Sequence, residues 1–264
     1  MKVQAATIVA LTAAAALGIA ATAPAQNRAG GAPPPTPRAS APIDLTGYWV
    51  AFVSEDWRVR MITPPKGDYN RVPLTPEART LADAWNPAAD AAAGEQCKAF
   101  GAAAIMRVPT RLHVTWQDDT TLRLDTDAGM QTRTFRFAAP PPPAEAPSWQ
   151  GQSAARWERQ AVARRGDQEL IRGGARTGGG GSLTVVTTNL RPGYLRWNGV
   201  PYSEKTAVTE YFDLAPHPAG GQVLIVTTVV EDPRYLQRPY VVSSQFKQEA
   251  DASRWDPTPC TSTW

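Results

Sequence analysis

The sequence predicts an all-β protein, an antiparallel barrel of about ten strands interrupted by one short helical segment. Three observations carry this reading. Short runs of alternating apolar and polar residues recur along the chain. Clusters of Pro, Gly and Asp or Asn separate them, as 25 Pro and 20 Gly allow. Most connectors are short, which favours antiparallel pairing, because parallel neighbours need long crossovers. A two-sheet β-sandwich fits the same pattern and is the alternative.

The 264 residues suit one or two domains at roughly 150 residues each, and all-β barrels of this size form single units, so one core is expected. A hydrophobic share of 42% with 19% charged residues is too apolar for a disordered chain. With 27 basic against 24 acidic residues, the net charge of +3 is too even for the electrostatic footprint of a nucleic-acid binder. Two His and two Cys leave few ligands for a metal. Neither a metal nor a cofactor is expected.

Lys2 precedes an apolar run over 5–23, which ends in Ala23-Pro24-Ala25, small residues where a signal peptidase reads. Residues 1–25 are therefore expected to be a signal peptide cleaved after Ala25, leaving 26 basic and 24 acidic residues, or +2. The run is rich in Ala and Thr, unlike an anchor of ~20 strongly apolar residues. No later stretch is long and apolar enough to span a bilayer, so no stable membrane insertion is expected. The expected location is the periplasm or the exterior.

Residues 26–42 are mostly Pro, Ala and Gly and predict a disordered tether, with one domain over 43–264. Strands are expected near 46–53, 57–62, 111–117, 120–127, 130–137, 152–158, 182–189, 206–213, 222–231 and 239–247. The helical segment starts at Thr75, a capping hydroxyl, followed by Pro76 at the first helical position and Glu77 at the positive end of the dipole. Ala78, Leu81, Ala82 and Trp85 follow at helical spacing, Asn86-Pro87 stops the segment, and 88–93 predict another short turn of helix. Pro140 to Pro143 are expected to form an extended loop. Arg159 to Gly181, ending in four glycines, are expected to be a flexible insertion between strands. About ten strands in this arrangement suggest closure around a pocket, in the manner of lipocalin-like (calycin-type) barrels.

In an oxidising compartment Cys97 and Cys260 form an even pair and predict a disulfide. It encloses roughly 160 residues and pins the C-terminal tail.

Six phrases are similar to those of a large group of exported bacterial proteins of unknown function: Asp44-Leu-Thr-Gly-Tyr-Trp49, Leu74-Thr-Pro-Glu77, Pro147-Ser-Trp-Gln-Gly-Gln-Ser153, Arg156-Trp-Glu158, Leu183-Thr-Val-Val-Thr187 and Glu231-Asp-Pro-Arg-Tyr235. They run in order over nearly all of the chain after residue 43. The resemblance implies export and transfers no activity, so no functional residue comes with it. Similar proteins run more directly between Glu158 and Ser182, which accords with an insertion there.

Hydrolase elbows, Walker loops and His-Glu-x-x-His are absent, and Gly178 to Gly181 lack the Lys and helix of a phosphate cradle. His217, between Pro216 and Pro218, belongs to a hairpin loop. Glu210 stands out because period-2 alternation puts it on the face of Val208, Phe212 and Leu214, while Tyr211 points the other way. An inward carboxylate is either a lumenal acid/base or the partner of an inward arginine such as Arg123 or Arg133. His113 shares a polar strand face with Arg111 and Thr115 and, with Tyr211, is the candidate to assist Glu210. Trp57-Arg58-Val59-Arg60-Met61, read as a strand, presents Arg58 and Arg60 on one face and Trp57 on the other; facing the lumen the two guanidiniums would bind a carboxylate or phenolate of the ligand, and facing out they are solvated charge. Nine Trp residues, Trp157 among them, offer an aromatic lining. Asp232, before Pro233, is expected to form a turn at a strand end. The expected function is binding of a small, partly aromatic or hydrophobic molecule in the lumen. The alternatives are a cofactor-free lyase, isomerase or hydratase using Glu210, and an envelope interaction protein.

Overall fold

The computed structural model describes residues 34–137, 146–159 and 180–263. Eleven strands are present among these residues: β1 (Gly47–Phe52), β2 (Arg111–Asp118), β3 (Thr121–Thr126), β4 (Thr132–Arg136), β5 (Gln152–Arg159), β6 (Gly181–Thr188), β7 (Gly193–Arg196), β8 (Val200–Tyr202), β9 (Ala207–Pro216), β10 (Gln222–Glu231) and β11 (Tyr240–Glu249). Nine of them close into a barrel in the order β1-β11-β10-β9-β6-β5-β4-β3-β2, and β7 and β8 form a separate hairpin. The protein is an all-β barrel, and it is mixed where a purely antiparallel one was expected. One neighbour pair, β4 with β5, runs parallel through Phe135 and Ser153, then Arg136 and Ala154. The sequence between β4 and β5 is long, as a parallel pair demands.

Alternation fills the barrel. The inward face of β9 is Val208, Glu210 and Phe212, and that of β10 is Leu224, Val226, Thr228 and Val230, all buried. Trp49, Leu112, Leu122, Leu124, Phe135, Leu183, Val185 and Phe246 complete the packing, each no more than 1% exposed. Each large side chain buried in this way contributes roughly 1.5–3 kcal/mol.

Both ends are closed. At one, Trp116, Phe137 and Trp157 cluster with ring centroids 5.2–6.3 Å apart. The segment around Pro37 crosses them, its carbonyl accepting from Trp157 Nε1 at 2.8 Å, while Ser40 O accepts from Arg159 at 2.9 Å. Order thus begins before Ile43, because residues expected to form a free tether find partners on the barrel rim. The other end is floored by α2 (Pro76–Asp83), α3 (Pro87–Ala92), two 3-10 turns (Lys98–Phe100 and Ile105–Arg107) and the β7–β8 hairpin. Thr75 Oγ1 caps α2, accepting from Ala78 N at 3.3 Å. Asn86 Oδ1 caps α3, accepting from Ala88 N and Ala89 N at 3.1 and 3.2 Å.

The strand expected at 57–62 is instead α1 (Trp57–Arg60), entered through Asp56 at φ 49°. In a helix, residues two apart point to nearly opposite sides. Arg58 is accordingly exposed and Arg60 buried, not side by side. Of the expected insertion, 160–179 lie outside the described residues, as do the expected signal peptide and the Pro140 to Pro143 loop. The hairpin flanking the insertion stays paired to Arg159 and Gly181.

Candidate functional site

The lumen is occupied by its own side chains. Arg133 of β4 reaches across to Glu210 of β9 with two bonds, Nη1 to Oε1 at 2.9 Å and Nη2 to Oε2 at 2.5 Å. Both side chains are wholly buried. Arg133 Nη2 also donates to Thr187 Oγ1 at 3.3 Å, and Thr187 shares a 2.8 Å bond with Ser153. The guanidinium lies 5.0 Å from the Phe135 centroid. An internal ion pair therefore claims Glu210, with Arg133 as its cation.

The other predicted residues scatter. Arg123 is on the outer face, bound by both its forks to Asp125 at 2.7 and 2.9 Å. Tyr211 faces solvent. His113, also outside, stacks flat on Tyr48 at 4.1 Å, with Trp255 edge-on to both. These three, with Asp125 and Gln131, line a shallow outer cleft of about 290 Å³. Neither His113 nor Tyr211 meets Glu210, since all three keep the faces that alternation gives them. Trp57 and Arg58 are exposed on α1, where Arg58 pairs with Asp68 at 2.9 Å. Trp157 belongs to the capped end of the barrel. Cys97 and Cys260 are bonded to each other.

A larger groove lies under the barrel floor, about 470 Å³, between the α2–α3 corner and the β7–β8 hairpin. Leu81, Trp85 and Ala89 form one wall; Pro192, Tyr194, Pro201, Tyr202 and Tyr235 form the rest. Leu81 has helical spacing with the core residues yet is exposed, and it serves the groove. Gly199 fixes the hairpin against Trp85: its φ is +79°, and a Cβ there would lie 2.2 Å from Trp85 Cγ. Gly193 lets the chain pass Lys98 O and the Tyr202 hydroxyl, each 2.6 Å from where its Cβ would be.

The polar end of the groove is an ion cluster. Lys98 Nζ binds Asp90 Oδ1 at 2.8 Å and Glu95 Oε2 at 2.5 Å, Arg191 pairs with Glu95, and Tyr194 OH donates to Asp90 Oδ2 at 2.8 Å. Burial alone would lower the Lys98 pKa, but hydrogen bonds to Asp90 and Glu95 outweigh it and hold the ammonium above the usual lysine value. Burial, and then the bond to Asp90, push the Tyr194 phenol up, and burial does the same to Tyr202. Lys98 therefore stays charged and both phenols neutral around pH 7. Two cations face two anions, so the cluster is electrically balanced.

Comparisons of the chain with protein-family models, with curated proteins and with solved structures found no match. Among the described residues, no group of three or more His, Cys, Asp or Glu is placed to hold a metal ion, and no helix is long and apolar enough to cross a membrane.

Sequence reasoning missed the groove because its walls come from distant segments whose aromatics each resemble core residues. One signal was available. Asn198-Gly199 between two short apolar runs is a strong hairpin signature and marks the β7–β8 turn that builds one wall.

Proposed function

We propose that this protein binds a small, uncharged, partly aromatic molecule in the groove under its barrel floor. One observation carries the reading: a groove of about 470 Å³ combines four aromatic rings, Trp85, Tyr194, Tyr202 and Tyr235, with a single polar end at Asp90 and Lys98. Small-molecule sites have this character, roughly 300–1,000 Å³, mostly apolar, with a few polar groups to fix orientation. The balanced cluster gives no net attraction to a charged ligand, which favours a neutral one. Lys98 and the Tyr194 phenol are both held above their usual values, away from neutral pH, which suits recognition better than proton transfer, for which a pKa near the working pH is best. The lumen, expected from the sequence to hold the ligand, is filled around Glu210, so the barrel serves as the scaffold. Export to an oxidising compartment belongs to the same proposal. The even cysteine pair, the apolar leader over 5–23 and the resemblance to exported proteins support it.

The test is native mass spectrometry of the full chain purified from its own host, beside the variant Ala89→Trp. Ala89 is exposed and lines the groove, so the larger ring fills the site without disturbing the core. A small molecule retained by the wild type and lost from Ala89→Trp is the expected result. Equal retention by both proteins contradicts the proposal.

A further inference from the structure

A second, independent site lies where α1 meets the barrel floor. Three arginines from three separate elements converge there: Arg60 of α1, Arg107 of the second 3-10 turn and Arg196 at the end of β7. Their exposures are 2%, 7% and 4%. Long cationic side chains are almost never buried this deeply without partners. Among the described residues, each of these has one hydrogen-bond acceptor. Arg60 Nε donates to Arg107 O at 2.9 Å, Arg107 Nη2 to Asp56 Oδ2 at 2.9 Å, and Arg196 Nη2 to Asn70 O at 2.8 Å.

Among the described residues, five buried guanidinium nitrogens have no hydrogen-bond partner: Nη1 and Nη2 of Arg60, Nη1 of Arg107, and Nε and Nη1 of Arg196. All three side chains line one cavity, with Val59, Ala99, Ala104, Val108, Leu195 and Trp197 as its apolar wall. The cavity measures about 10 Å³, room for about one water-sized sphere.

The charges facing it do not balance. Asp56 is shared between Arg107 and the exposed Arg71. Glu55, with one buried carboxylate oxygen unpaired, and the unpartnered Tyr240 hydroxyl act on Arg60 from nearby. Three cations thus meet two carboxylates, one of them already divided. Burial first, and the neighbouring Arg107 second, lower the Arg60 pKa to about 10, well below the usual arginine value. A guanidinium has donors only. A water molecule has two lone pairs to offer five donor nitrogens and no charge to offset the excess cation, whereas an anion accepts from every side and neutralises it.

We infer that Arg60, Arg107 and Arg196 form a binding site for a monatomic, halide-sized anion, of which chloride is the commonest. The small volume, about 10 Å³, selects the class: a monatomic anion asks for the least room, and a tetrahedral oxoanion or an organic carboxylate for far more. The bound anion ties α1, which has a single helical turn and no side-chain cap, to the 3-10 turn and to β7.

Two measurements test the site. In crystals of the full chain grown with bromide, an anomalous peak is expected within hydrogen-bonding distance of all three guanidinium groups. In solution, the wild type should melt higher in chloride than in gluconate at equal ionic strength, with Tm rising about 3–5 °C per tenfold chloride once the site titrates. Arg196→Gln should need about tenfold more chloride, or greater, for the same stabilisation. The bromide experiment needs no variant, so a variant that fails to fold leaves it standing. Absence of the peak together with identical melting in the two salts would overturn the inference. Phosphate or a carboxylate found in the cavity would overturn its size class.

Discussion

Arg133 and Glu210 face each other across the middle of the barrel, joined by two hydrogen bonds of 2.9 and 2.5 Å and shut off from solvent. Such a pair repays its desolvation only when both partners are present, and breaking it costs more than it ever contributed. Glu210→Gln should therefore strand the guanidinium and lower stability by about 3–5 kcal/mol. The double variant Arg133→Met with Glu210→Leu should recover most of that loss. Urea denaturation of the three proteins checks this. Unchanged stability in Glu210→Gln would mean that the carboxylate does not carry the pair.

The Cys97–Cys260 bond closes a loop with a sequence separation of 163. The chain-entropy model gives about 5 kcal/mol at that length, with engineered cases often lower. Cys260→Ser should lower Tm markedly, and non-reducing peptide mapping of the wild type should yield the cross-linked pair. Two alkylatable thiols in the native protein would contradict this.

Gly199 is held at φ +79° against the Trp85 ring. Gly199→Ala combines backbone strain with a collision, so a loss of roughly 1–3 kcal/mol is expected. Trp85 must also move, and the groove changes shape with it. Thermal melts read the first effect and tryptophan fluorescence the second.

Asp232 is buried and accepts from Ser203 N, Arg234 N, Tyr235 N and the hydroxyls of Ser203 and Thr206, at 2.6–3.1 Å. Burial would raise its pKa, but the backbone bonds from Ser203 and Arg234 and the Ser203 hydroxyl bond outweigh it, and the net shift is downward. A carboxyl depressed in the folded state stabilises fully above its unfolded value, near 3.8, and loses that contribution as pH falls through the folded value. The wild type should thus lose stability below about pH 4, and Asp232→Asn should be weaker at pH 7 with a flatter acid limb. Equal acid limbs in the two proteins would remove Asp232 from that role.

Much of the barrel was legible because strands buried on one face write a period of two. Glu210 among Val208, Phe212 and Leu214 was correctly placed inside by that rule, and β10 appeared with its exact ends. Three features escaped it. Trp57 to Arg60 alternate over so few residues that one helical turn produces the same pattern. The parallel β4–β5 pair depends on where a long connector returns, which no local pattern records. The groove brings Leu81 and Trp85 to Tyr194, Tyr202 and Tyr235 across more than a hundred residues of chain, and each aromatic there looks like ordinary core.

In the proposed function, ligand binds under the barrel floor and the lumen stays closed. Its most direct test is an NMR titration of the isotope-labelled chain with a set of small, uncharged aromatic fragments. Shifts concentrated at the Trp85 indole and at the amides of Ala89, Tyr194 and Gly199, with Val185, Glu210 and Phe212 unmoved, are the predicted outcome. Shifts centred on those lumenal residues, or none at the groove with any fragment, would contradict it.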